Sequence, residues 1–165
     1  MCLRSHFLKD EFFIFKPQHI SSIKDELVEV YISAYKGLEE YAYTKRSDIK
    51  RYIKWLYNAD KDGIFVAKIE HKIVGFIFFC HKWWDRIYGE IGEIHELAVA
   101  SEYKGQGIGK ALMQKAMISL QRYNKIFGLW VGEKNETAKR FYKKFGFEEK
   151  GKMGKWIRMI KIKKE

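Results

Sequence analysis

Cysteine and proline are nearly missing from this chain: two of the one and a single copy of the other in 165 residues. Cys2 and Cys80 stand 78 positions apart and the five histidines are scattered. Neither a disulfide framework nor a Cys/His metal site therefore has ligands at workable spacing, and no metal is expected. No apolar run approaches the roughly 18 residues that a membrane helix needs, which excludes a membrane protein of that kind. At the N-terminus, Lys9, Asp10 and Glu11 cut the chain before an apolar stretch forms, so it does not read as a secretory leader and a cytoplasmic location is expected. With one proline and 13 glycines there is no Pro/Gly-rich linker, and no repeat or low-complexity tract is present. What the chain does have is 47% hydrophobic and 16% aromatic residues, which suits one compact domain over residues 1–165.

The formal charge is +11, and its distribution decides how to read it. Residues 1–100 carry 15 basic and 15 acidic side chains, whereas residues 101–165 carry 17 and 6. A surplus confined to the last 65 residues fits nucleic acid, a phosphorylated cofactor, or plain solubilising lysines. Charge alone favours the last of these, so motifs must arbitrate.

Hydrophobic spacing divides the chain into short elements. Glu11 to Lys16 reads as a strand. From Gln18 to Tyr35, Ile20, Ile23, Leu27, Val30, Tyr31 and Ala34 recur at helical steps, and Ser47 to Trp55 repeats the pattern with Ile49, Tyr52, Ile53 and Leu56. Gly63–Ile69 and Ile73–Cys80 read as a hairpin turning through Glu70, His71 and Lys72. Ile91–Ala100 is a strand, the residues after Gly105 a helix of about four turns, Ile126–Val131 a strand, Asn135–Phe145 a helix, and Phe147–Ile162 a closing pair of strands. Strands and helices alternate only in part, so a mixed α/β sheet is expected rather than a doubly wound parallel one.

The sharpest local signal is Tyr103-Lys104-Gly105-Gln106-Gly107-Ile108-Gly109-Lys110, between a strand and a helix. A strand leading through glycines into a helix start presents free amides at the positive end of the helix dipole, where a phosphate can approach closely. No Gly-Lys-Ser/Thr follows, so it is not a P-loop, and the third glycine comes too early for the dinucleotide fingerprint. A turn that needs glycine for tight packing accounts for the three glycines equally well.

Taken with Leu97-Ala98-Val99 just before it, Lys104-Gly105-Gln106-Gly107-Ile108-Gly109 resembles the acetyl-CoA signature of the GNAT superfamily of N-acetyltransferases, with Lys104 at the usual Arg/Gln position. A second block 26 residues after Gly109, formed by Asn135, Ala138, Phe141, Tyr142, Gly146 and Phe147, is similar to that family's N-x-x-A-x-x-F-Y-x-x-x-G-F element. The resemblance implies a mainly antiparallel central sheet splayed into a V and flanked by helices. It implies that the diphosphate of acetyl-CoA rests on the amides of Gln106, Gly107, Ile108, Gly109 and Lys110, with Gly105 and Asn135 also at the cofactor. The pantetheine would pair with backbone around Leu97, Ala98 and Val99. Lys104 loses an arginine's fork but keeps its charge. The basic surplus then has a local explanation, and nucleic acid drops out as the expected partner.

Amide formation from a thioester needs a base for the amine and a proton for the thiolate. His95 and Glu96 immediately precede Leu97; both reach the cleft only if a bulge breaks strand alternation. The imidazole suits the base role and the carboxylate the amine-binding role, with Glu93 as an alternative. By the resemblance, Tyr142 is the proton donor beside the cofactor sulfur. The acceptor side is expected among Tyr35, Glu39, Glu40, Tyr41 and Tyr43, then Trp83, Trp84, Asp85 and Tyr88; of these Glu39, Glu40 and Trp84 are the substrate candidates together with Glu96. Aromatic faces with carboxylates suit a small amine, a polyamine or a peptide amino group. A homodimer stays open, and the competing reading is a non-catalytic acyl-CoA-binding regulator.

Overall fold

The structure, a computed structural model, describes residues 11–165; Cys2, Lys9 and Asp10, used above, lie outside the described residues. Strands β1 (Phe12–Phe15), β2 (Ile64–Ile69), β3 (Lys72–Asp85), β4 (Gly89–Val99), β5 (Ile126–Gly132), β6 (Glu148–Met153) and β7 (Trp156–Ile162) form one sheet in the order β1-β2-β3-β4-β5-β7-β6. Every neighbouring pair is antiparallel except β4 with β5. Helices α1 (Lys24–Ala34) and α2 (Arg46–Ala59) pack on one face, and α3 (Ile108–Leu120) and α4 (Glu136–Lys144) on the other. This is the mixed, mainly antiparallel architecture expected from the sequence. Among the described residues no helix is long and apolar enough to cross a membrane.

Alternation along β4 divides the two cores. Ile94, Leu97 and Val99 face α3 and α4, while Ala98 faces α1 and α2. Two elements differ from the sequence reading. The first helix opens at Lys24 rather than Gln18, because Ile23 N–H bonds the Ile20 carbonyl at 3.1 Å and closes a separate turn. Strand β3 runs five residues past Cys80, so that His81–Asp85 and Gly89–Glu93 make a long hairpin arm. The arm is anchored by Asp60: its carboxylate accepts from His81 N–H at 2.9 Å and meets the ring Nδ1 at 2.7 Å, while Ser119 Oγ lies 2.8 Å from Nε2. One polar chain thus ties the ends of α2 and α3 to β3.

The feature that makes a site is where the sheet parts. Strands β4 and β5 pair only over Gly92↔Phe127, Glu93↔Gly128 and Ile94↔Leu129. Beyond that point β4 stays with β3, as in Val99↔Gly75, and β5 stays with β7, as in Gly132↔Trp156. The facing backbone edges of 97–99 and 130–132 therefore border a gap instead of each other, and their polar groups call for another partner.

Candidate active site

At the mouth of that gap lies the glycine loop. Gly105 and Gly107 have φ of +80° and +87°, the left-handed region that side chains resist. Gly107 is the N-cap of α3 and no side chain caps the helix, so the first-turn amides of Ile108, Gly109 and Lys110 stay free at the positive end of the dipole. A Cβ at either Gly105 or Gly107 would meet nothing within 4 Å. Backbone conformation, not crowding, demands glycine here, and the space in front is open. The loop, Leu97, Val99 and Asn135 line a cleft of about 1300 Å³ that continues into the gap.

Three expected cofactor residues have side chains engaged or directed elsewhere. Ala98 turns its side chain to the opposite core, and Gln106 does not line the cleft. The Lys104 ammonium donates to the Ala34 carbonyl at 2.9 Å, capping the C-terminal end of α1, and burial lowers its pKa. It acts as a tie between loop and helix rather than as a free charge for a phosphate.

Deeper in, the β3–β4 register passes from Phe78↔Glu96 to Phe79↔Ile94, leaving His95 as the extra residue of a bulge. His95 and Glu96 accordingly both line the cleft. Glu96 accepts from Tyr35 Oη at 2.5 Å on one carboxylate oxygen and from Tyr52 Oη at 2.9 Å on the other. Burial raises its pKa to about 7, and the two phenols work against that rise. His95 is held edge-on between Trp55 and Trp83, ring centroids 5.4 and 4.4 Å away, and its Nε2 has no partner among the described residues. Burial, aided by the Arg158 charge, lowers its pKa to about 4. Glu93 does not enter the cleft: its two oxygens accept from Arg158 at 2.6 and 2.9 Å, with Asp85 completing the group at 2.8 Å.

From the other side, α4 brings Tyr142. Asn135 Oδ1 accepts from Ala138 N–H at 3.2 Å as the N-cap, so its side chain fixes the helix start at the cleft wall. Tyr142 lines the cleft, and burial first, the Glu96 charge second, raise its pKa. A carboxylate ionising near neutrality and a phenol that keeps its proton thus share one cavity where the strands part.

Residues 24–147 match the model of the acetyltransferase (GNAT) family. The chain belongs to that family. An N-acetyltransferase of Archaeoglobus fulgidus, itself uncharacterized, is 49% identical over 72% of this chain and 82% of its own length. One of Methanocaldococcus jannaschii is 42% identical over 83% of this chain, which spans 62% of that protein. A solved structure from Pyrococcus horikoshii OT3 superposes with a TM-score of 0.88 at 42% identity, covering 94% of this chain and 100% of the other. A PaiA N-acetyltransferase of Thermoplasma acidophilum in complex with coenzyme A shares the fold, with a TM-score of 0.73 at 21% identity over 92% of this chain and 99% of that one.

In this GNAT chain the cleft is bounded on one side by the α1–α2 connection and the β6–β7 hairpin. The Lys155 ammonium donates to the Glu40 carbonyl, and Tyr41 packs on Trp156 with centroids 5.4 Å apart. Tyr41 Oη also accepts from Lys134 N–H at 3.0 Å, while a Cβ at Gly132 would come within 2.6 Å of its ring. The two segments are therefore in contact over the groove. Glu40 lines it, but Glu39 does not: it is exposed and accepts from Gly37 N–H at 2.9 Å. Trp84, 75% exposed on the hairpin arm, also stays outside. Tyr52, Trp55, Trp130 and Lys155 line the groove although the sequence reading gave them no role there. The signal for Tyr52 was available, since a phenol on the otherwise aliphatic stripe of α2 needs a hydrogen-bond partner when buried.

Proposed function

We propose that the chain transfers the acetyl group of acetyl-CoA directly to a primary amine, with Glu96 as the base and Tyr142 as the proton donor. The observation that carries this reading is the Glu96 carboxylate, held by two phenols and raised to a pKa of about 7, in the same cavity as Tyr142 at the parting of the strands. The free amides of α3 and the open edge of 97–99 fit a diphosphate and an amide-bearing arm. When bound, acetyl-CoA supplies an activated acyl carbon. Glu96 takes a proton from the acceptor ammonium, directly or through water, leaving a lone pair on nitrogen. As the new C–N bond forms and the C–S bond breaks, Tyr142 gives its proton to the departing thiolate, and the second proton that the nitrogen sheds on becoming an amide restores the phenol. His95, neutral down to about pH 4, is too weak a base for this task and serves to wall the groove with Trp55, backed by Trp83.

The groove also narrows the acceptor. Its walls are aromatic, its roof carries the Lys155 cation, and its other carboxylates, Glu40 and Glu136, are exposed at the rim, the latter paired with Lys139. That lining favours an amine next to an apolar group over a polycation. A base near pH 7 is also better matched to an α-amino group, about 8, than to a lysine or polyamine nitrogen, about 10. A peptide α-amine is the acceptor best supported. The test follows free thiol released from acetyl-CoA with three acceptors: peptides beginning with Met, Leu or Phe, N-terminally blocked peptides with a free lysine, and spermidine. Release with the first group alone is expected. Release led by spermidine overturns the acceptor, and release with none overturns transfer in favour of an acyl-CoA-binding regulator.

A further inference from the structure

Resting on the proposal that Glu96 is the base, we propose that Tyr35 and Tyr52 are positioning residues that together hold the Glu96 carboxylate at the cleft wall and keep it ionisable. Each phenol takes one of the two carboxylate oxygens, at 2.5 and 2.9 Å, and the two come from different helices, α1 and α2. Neither phenol has another hydrogen-bond acceptor among the described residues. Glu96 itself is buried and has no cation beside it among the described residues, so these two bonds are what offset its desolvation.

The other groups around Glu96 confirm how little else could do this. From α1, Tyr31 stands beside Tyr35 with centroids 4.7 Å apart; its hydroxyl accepts from Tyr43 N–H at 3.1 Å, and only Tyr35 and Tyr52 donate to Glu96 among the described residues. From α4, Tyr142 keeps its proton. On the same strand, His95 is uncharged above about pH 4. Strand β3 places Phe78 opposite. Positioning by two phenols leaves the charge on the carboxylate unneutralised, whereas a lysine or arginine partner would hold it ionised but unwilling to accept a proton. A carboxylate fixed this way can take a proton from an amine and still be rebuilt as an anion near neutral pH.

The experiment titrates Glu96 directly, in the intact chain labelled with ¹³C at glutamate side-chain carboxyls, its resonance assigned by its loss in Glu96→Gln. Wild type should titrate near pH 7. Tyr35→Phe and Tyr52→Phe should each move that titration upward by about one pH unit, the worth of one hydrogen bond to a charged group. The acidic limb of kcat/KM should move with it and activity should recover at high pH, with acetyl-CoA affinity unchanged. A Glu96 titration that stays in place in a folded variant overturns the proposal for that tyrosine; since the two lie on separate helices, one failing to fold leaves the other decisive. A titration that moves while the acidic limb stays put upholds the positioning role and sinks Glu96 as base, and an acidic limb that survives in Glu96→Gln sinks Glu96 as base whichever way the titration behaves.

Discussion

His95 and Glu96 are adjacent in sequence and share one bulge, yet their environments drive them apart. The imidazole is wedged between two indoles with no partner for Nε2 among the described residues, so its cationic form is disfavoured. The carboxylate gains two phenols and keeps a titration near neutrality. The sequence reading chose between them by intrinsic chemistry, giving the base role to histidine. It could not see the partners, because Tyr35 and Tyr52 lie 61 and 44 residues from Glu96 and arrive only through tertiary packing. Tyr142 was easier to find: its place follows from a local motif and a helix whose stripe must face inward. Tyr142→Phe retains the ring and removes only the proton to be donated. It should fold as wild type, bind acetyl-CoA equally well and lose on the order of 10²-fold in kcat under conditions where thioester cleavage is rate-limiting. Wild-type kcat in that assay would reduce the residue to packing.

Among the elements, those governed by local chemistry were the legible ones. Helix α4 starts and stops where Asn135, Glu136, Lys143, Lys144 and Gly146 say it should, and Gly146 does have a left-handed φ of +90°. The glycine loop was equally plain, since left-handed backbone leaves few alternatives to glycine. The start of α1 and the length of β3 were not, because a competing turn at Ile20–Ile23 and an anchor at Asp60 decide them. The role of Lys104 was hidden for the same reason: its partner is a carbonyl 70 residues away. At the loop, Gly107→Ala puts a methyl on a residue with φ of +87°, a strain of about 1–2 kcal/mol, and into open space before the α3 amides. The variant should fold with a modestly lower Tm and lose acetyl-CoA affinity severely in calorimetry. Undiminished affinity in the folded variant would remove the diphosphate from this loop.

For the whole molecule, the sheet order explains why a cleft exists at all. Two antiparallel halves are joined by three residue pairs between β4 and β5, and everything beyond that seam diverges. Basic charge is likewise a property of a half, but pairing tempers it. All six acidic residues after position 100 meet a lysine: Glu102, Glu133, Glu136, Glu148, Glu149 and Glu165. Such pairs add little stability where they are exposed, and two further lysines, Lys104 and Lys155, are held by the carbonyls of Ala34 and Glu40. If the parted strands are the cofactor's seat, its arm must satisfy backbone groups that now lack partners. Hydrogen–deuterium exchange with and without acetyl-CoA reads those amides one by one. Residues 97–99, 130–132 and 108–110 should exchange more slowly in its presence, with β1 and β2 unchanged. Unaltered exchange along both parted strands at saturating acetyl-CoA would mean that the gap between β4 and β5 is not where the cofactor binds.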